Sequence, residues 1–175
     1  MQVTTRVLIS FFCDDRPGVI EQLSALVAET GGNWLDSSLS RLGGRFAGVL
    51  QAQIQEHVYE DLAAALAALK ADGIIATLTE AGDARAGAVS QQRLTLLGPD
   101  RPGIVHELTR ALRSAGFNVH SLETRVETAA MSGEPLFRAE ALVEVLEDSR
   151  LDELEWKLDA MSESMTLEID LHPAN

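Results

Sequence analysis

Along the chain, apolar residues recur first in a short continuous run, then every third or fourth position, then every second position, and this series is gone through twice. Residues 6–12, RVLISFF, and 92–98, QRLTLLG, are apolar runs ended by turn residues, the pattern of buried strands. The period then becomes helical: Val19, Leu23, Leu26 and Val27 share one face, as do Ile104, Leu108, Ala111 and Leu112. Pro17 and Pro102 are placed at the helix starts, where a missing N–H costs little, and Gly31-Gly32 and Gly116 at the ends.

A hairpin follows in the first copy. NWLDSSLSRL, residues 33–42, runs through Gly43-Gly44 into RFAGVLQAQIQ, where Phe46, Leu50, Ala52 and Ile54 alternate with Ala47, Val49, Gln51 and Gln53. HVYEDLAAALAALK, residues 57–70, carries Val58, Leu62, Leu66 and Leu69 on one helical face, and GIIATLTE closes the unit as a strand. The second copy repeats this through NVHSLETRVE, LFRAEALVEVL, a helix opened by a capping box at Ser149-x-x-Asp152, and MTLEIDL, in which Met165, Leu167, Ile169 and Leu171 alternate with polar residues. Its hairpin loop, TAAMSGEP, is longer than Gly43-Gly44.

The order βαββαβ predicts an α+β fold: two tandem ferredoxin-like units, each an antiparallel sheet with its helices on one face. The copies sit at an offset of 85 residues, too long for a solenoid repeat. Residues 81–90 are rich in Ala and Gly and lack an apolar period. The expected division is therefore 1–82, a linker at 83–90, and 91–175.

The repeat is most literal in one phrase, CDDRPGVIEQL from Cys13 and GPDRPGIVHEL from Gly98. Its chemistry fits a small zwitterion. The first N–H groups of a helix lack internal partners and sit at the positive end of its dipole, which suits a carboxylate. Gly18 and Gly103 remove side chains that would block close approach, while Asp15 or Asp100 offers an acceptor for an ammonium group. Asn33 and Asn118, at the start of the following strand, carry amides that both donate and accept. The same residues also admit a purely structural reading, because Pro-Gly makes a good turn, Asp caps helices and Asn satisfies its own backbone. Arg16 and Arg101 are assigned to salt bridges or partner contacts beside the loop.

DRPGVIEQLSALVAETGGNWLDS and DRPGIVHELTRALRSAGFNVHSLETR resemble the first loop, helix and second strand of ACT domains, small regulatory modules of βαββαβ order. The resemblance covers nearly the whole chain. It implies amino-acid ligands, held at Asp15, Gly18, Val19 and Asn33 in copy one and at Asp100, Gly103, Ile104 and Asn118 in copy two, often across an interface with a second ACT domain. It also implies oligomerisation through ACT sheets. Two ACT domains and little else resemble the glycine cleavage system transcriptional repressor family. That likeness implies a regulator that binds a LysR-type transcription factor and is relieved by glycine. Two other readings stay open: a regulatory subunit that confers amino-acid feedback on a metabolic enzyme, and a scaffold that only oligomerises.

Charge narrows the partners. The net charge is −13 and both halves are acidic, which argues against direct nucleic-acid binding, a process driven by Lys and Arg on phosphates. Control of genes would have to pass through a protein. No run approaches the ~18 apolar residues of a membrane span, and no leader pattern is present at the start, so the cytoplasm is the expected location. The single cysteine, Cys13, permits no intrachain disulfide and no CxxC metal site. His57, His106, His120 and His172 follow no metal or triad spacing. No catalytic residue, metal or cofactor is expected. Trp34 beside Asn33 is read as narrowing the first pocket or as part of the core or an interface.

Overall fold

The structure is a computed structural model that describes residues 3–82, 88–129 and 133–174. The chain divides into two compact units, Met1–Asp83 and Ala84–Asn175. Unit 1 runs β1 (Thr4–Asp14), α1 (Val19–Glu29), β2 (Asn33–Leu42), β3 (Arg45–Gln55), α2 (Tyr59–Ala68) and β4 (Ile75–Glu80). Unit 2 runs β5 (Ala88–Pro99), α3 (Ile104–Ser114), β6 (Phe117–Thr128), β7 (Pro135–Leu146), α4 (Leu151–Met165) and β8 (Glu168–Pro173). Strand orders are β2-β3-β1-β4 and β6-β7-β5-β8, antiparallel throughout. This is the ferredoxin-like arrangement expected of the βαββαβ order.

The alternation read in the strands is the alternation observed. In β1, Val7, Ile9, Phe11 and Cys13 are buried, and they join Leu23, Val27, Leu50, Ala52, Leu62 and Leu66 in one core. The second core gathers Leu94, Leu96, Leu108, Leu112, Val143, Leu154 and Leu158 in the same way. Even an irregularity is repeated: the register shifts between Trp34 and Asp36 and again between Val119 and Ser121, so Leu35 and His120 occupy equivalent bulges. Trp34 packs half-buried against the first core.

The sheet faces turned away from the helices differ. In unit 1 that face exposes Phe12, Val49 and Ile75, on adjacent strands. In unit 2 it carries Glu123 opposite Glu140 and Arg125 opposite Arg138, with Arg138 reaching Glu127 at 3.0 Å.

Four local expectations are corrected. Pro17 and Pro102 precede the helices, and Gly18 and Gly103 are the N-caps. Ser149 forms no capping box: its hydroxyl accepts the Leu146 N–H at 2.7 Å and donates to the Gly116 carbonyl at 2.9 Å, tying the turn before α4 to the turn after α3. Met165 ends α4 instead of opening the last strand, and Thr166, with φ 55, turns the chain into β8. Residues 88–90 of the expected linker already belong to β5, while 83–87 lie outside the described residues. Likewise 130–132 of the TAAMSGEP loop lie outside them.

Candidate functional site

The two DRPG turns adopt one conformation. Gly18 has φ 92 and ψ −6, and Gly103 has φ 95 and ψ −7, in the left-handed region where a side chain is strained. A Cβ on Gly18 would meet nothing within 4 Å, so the glycine serves backbone conformation and leaves the turn open. Each helix closes its first bond back to this glycine, Gln22 N–H to Gly18 O and Glu107 N–H to Gly103 O, both at 3.0 Å. The N-cap positions fall on Gly18 and Gly103 and not on Asp15 and Asp100, so no N-cap side chain reaches the leading N–H groups. The leading N–H groups of α1 and α3 are thereby left for another acceptor.

The equivalent arginines hold both turns in place. Arg101 forks onto Glu107 at 3.1 and 2.8 Å and also touches the Met165 sulfur. The Arg101 hydrogen bonds hold the Glu107 carboxyl below its ordinary range. Arg16 reaches the Gln22 side chain at 3.3 Å and the Asp72 carbonyl at 3.1 Å. Arg101 thus makes a salt bridge of the kind expected from the sequence, whereas Arg16 ties the loop to α1 and to the turn after α2 through neutral groups.

The two acidic residues fare differently. Both backbones are anchored, Asp15 N–H to Gly44 O at 3.1 Å and Asp100 N–H to Pro135 O at 3.0 Å. The Asp15 carboxylate, however, lies 2.7 Å from Arg41 Nε, and its neighbour Asp14 pairs with Arg45. The register puts Val126 and Leu136 at the positions of Arg41 and Arg45 in unit 2, so no cation meets Asp100 there, and its carboxylate has no partner among the described residues. Pro99 replaces Asp14.

Val19 and Ile104 are 2 % and 1 % exposed, so their side chains belong to the cores and only their N–H groups could serve a ligand. Asn33 and Asn118 are not beside the turns of their own units. Asn33 faces Gln53, which faces Arg6, whereas Asp14 at the far end of β1 faces Arg45. From Arg6 to Asp14 is about 27 Å at ~3.4 Å per residue, so one small ligand cannot touch Asn33 and Asp15 of the same unit. Unit 2 repeats this, with Asn118 level with Gln91. Asn118 donates to Glu144 Oε2 at 2.7 Å, and His120 Nδ1 lies 3.2 Å from the other Glu144 oxygen, a cluster that the sequence reading did not assemble.

Cys13 is buried, its thiol 3.6 Å from the Phe46 carbonyl, and burial, the largest cause, raises its pKa. Its equivalent is Gly98 because Leu167 fills the space: a Cβ there would lie 2.4 Å from Leu167 Cδ2. Among the described residues no group of three or more His, Cys, Asp or Glu could hold a metal, and no helix is long and apolar enough to cross a membrane.

Two ferredoxin-like units, each with a glycine-capped, open loop–helix turn, define a tandem repeat of one small α+β module. Residues 5–79 and 93–155 each match the ACT domain family, and the chain belongs to it as a tandem pair. No curated protein matches it in sequence. Among solved structures, one of a protein of unknown function from Galdieria sulphuraria is 25% identical, with TM-score 0.87, covering 99% of this chain and 100% of that one. Another, of a proposed glycine cleavage system transcriptional repressor, is 19% identical with TM-score 0.72, covering 99% of each chain.

Proposed function

We propose that the protein is a non-catalytic, amino-acid-responsive regulator that acts through a protein partner, and that the turn of unit 2 is its sensing site. The observation that carries the reading is the unpaired Asp100 carboxylate next to the start of α3, whose glycine N-cap brings no side chain to its leading N–H groups. An amino acid places its carboxylate on the leading N–H groups beyond Gly103 and its ammonium on Asp100. In unit 1 the same ammonium would have to displace Arg41 from Asp15, which weakens binding there.

The overall likeness to a proposed glycine cleavage system transcriptional repressor accords with regulation of glycine cleavage genes; glycine as ligand and a LysR-type transcription factor as partner are what the resemblance of the sequence implies. The net charge of −13 favours a basic protein partner over nucleic acid. For glycine to release that partner, it must bind the free protein more tightly than the complex.

A thermal-shift screen against the twenty amino acids tests the site, since selective binding raises the melting temperature by mass action. Glycine or another small amino acid is expected to stabilise the wild type and Asp15→Ala, but not Asp100→Ala. Equal responses from all three proteins, or none at millimolar ligand, would end this assignment.

A further inference from the structure

Unit 2 holds a groove between its two helices. α3 and α4 leave about 400 Å³ between them, within the range of small-molecule sites. Its apolar lining comes from Ala111, Ala160, Met161 and Met165, and Trp156 contributes a wall while 69% exposed. Ala111 and Ala160 keep the floor low between larger side chains. Ala111 takes the place of Leu26, which packs on the core of unit 1.

The charges at the groove do not cancel. Glu107 is held by the fork from Arg101, and Glu153 is shared between Arg150 at 2.9 Å and Lys157. Arg110, also in the lining, is exposed and forms no contact ion pair among the described residues, although its charge acts on the nearby Glu107 carboxylate. The other carboxylates of α4, Asp152, Glu155, Asp159 and Glu163, are not among the lining residues. A chain of net charge −13 therefore presents surplus positive charge beside an apolar floor and an uncovered indole.

We propose that this groove binds a small carboxylic acid with an aromatic body, the ring against Trp156 and the methionine sulfurs and the carboxylate on Arg110. An aromatic ring suits both walls: indoles favour offset or edge contacts with other rings, and thioethers pack favourably on them. Arg110 supplies a forked donor that matches a carboxylate. Arg101 of the DRPG turn borders the groove through Glu107 and Met165, but the Asp100 carboxylate is not among the lining residues, and the proposal does not rest on the amino-acid reading.

The probe is 3-phenylpropionate, with neutral 3-phenylpropionamide as control. Trp156 emission is followed in the full chain carrying Trp34→Phe, and amide chemical shifts locate the binding. Saturable binding is expected, with shifts centred on residues 107–114 and 156–165. Arg110→Ala and the amide control should each weaken it about tenfold, the worth of one charged hydrogen-bond pair. Ala160→Leu, a good helix former on an exposed position, should fill the groove and abolish binding, while Asp100→Ala should leave it unchanged. The proposal is overturned by the absence of saturable binding, by equal affinity for acid and amide, or by shifts centred on residues 100–104. Occupation of the groove by a second copy, seen as concentration-dependent shifts at Trp156 without probe, would overturn it as well.

Discussion

Gly98→Ala tests whether the two copies diverged through packing. The added Cβ would lie 2.4 Å from Leu167 Cδ2, 3.2 Å from the Thr166 carbonyl and 3.3 Å from Leu167 Cα, against an ordinary carbon separation of about 3.5–4.0 Å. Leu167 has little freedom to retreat. It is 6% exposed, its N–H bonds to the Ser162 carbonyl at 3.2 Å, and it follows Thr166 in the left-handed region. Overpacking of this kind costs about 1–3 kcal/mol. With a urea m-value of about 2 kcal/mol/M, the midpoint of unit 2 should fall by roughly 1 M. Trp156 emission reports that transition in a protein whose other tryptophan, Trp34, belongs to unit 1. Leu167→Ala alone should cost about 2–5 kcal/mol, and the double variant less than the sum, because the alanine at 98 then enters space that Leu167 vacated. An unchanged midpoint for Gly98→Ala, or strict additivity in the double variant, would refute the argument.

Two further outcomes follow from ionisation. Because Glu107 titrates below its ordinary value of 4.5 in the folded chain, its pairing with Arg101 contributes stability above that value and loses it as pH falls through the lowered one. The difference in urea midpoint between wild type and Glu107→Gln should therefore shrink from about pH 6 to about pH 3, and a constant difference would contradict the fork. Cys13, buried and with a raised pKa, should resist iodoacetamide at neutral pH until denaturant is added, whereas rapid native alkylation would show an accessible thiolate.

The fold lay open in the sequence because its information is local. Alternation in RFAGVLQAQIQ sets which face of β3 is buried, the helical spacing of Val19, Leu23 and Val27 sets the face of α1, and the offset of 85 residues reveals two copies before any coordinate is known. Those periods describe how one segment meets an apolar layer, and burial of that layer drives the fold. Small errors arose where neighbours in space settle the outcome: Ser149 turned to Gly116 instead of capping α4, and Met165 stayed helical.

The candidate site was legible as residue types and not as an arrangement. Nothing in the spacing of Asp15 and Asn33 tells that antiparallel pairing puts them at opposite ends of one sheet, nor that Arg41 comes back across the hairpin to occupy the Asp15 carboxylate while Val126 leaves Asp100 alone. The groove beside Trp156 likewise depends on Ala111 and Ala160, which meet only after the intervening hairpin has folded. Sequence periodicity determined two βαββαβ units and their buried faces, and the resemblance of the two DRPG phrases pointed to ACT domains. Tertiary structure decided which acidic side chain is free and where space remains, because Coulomb attraction and van der Waals exclusion act over a few ångströms between residues that register alone brings together.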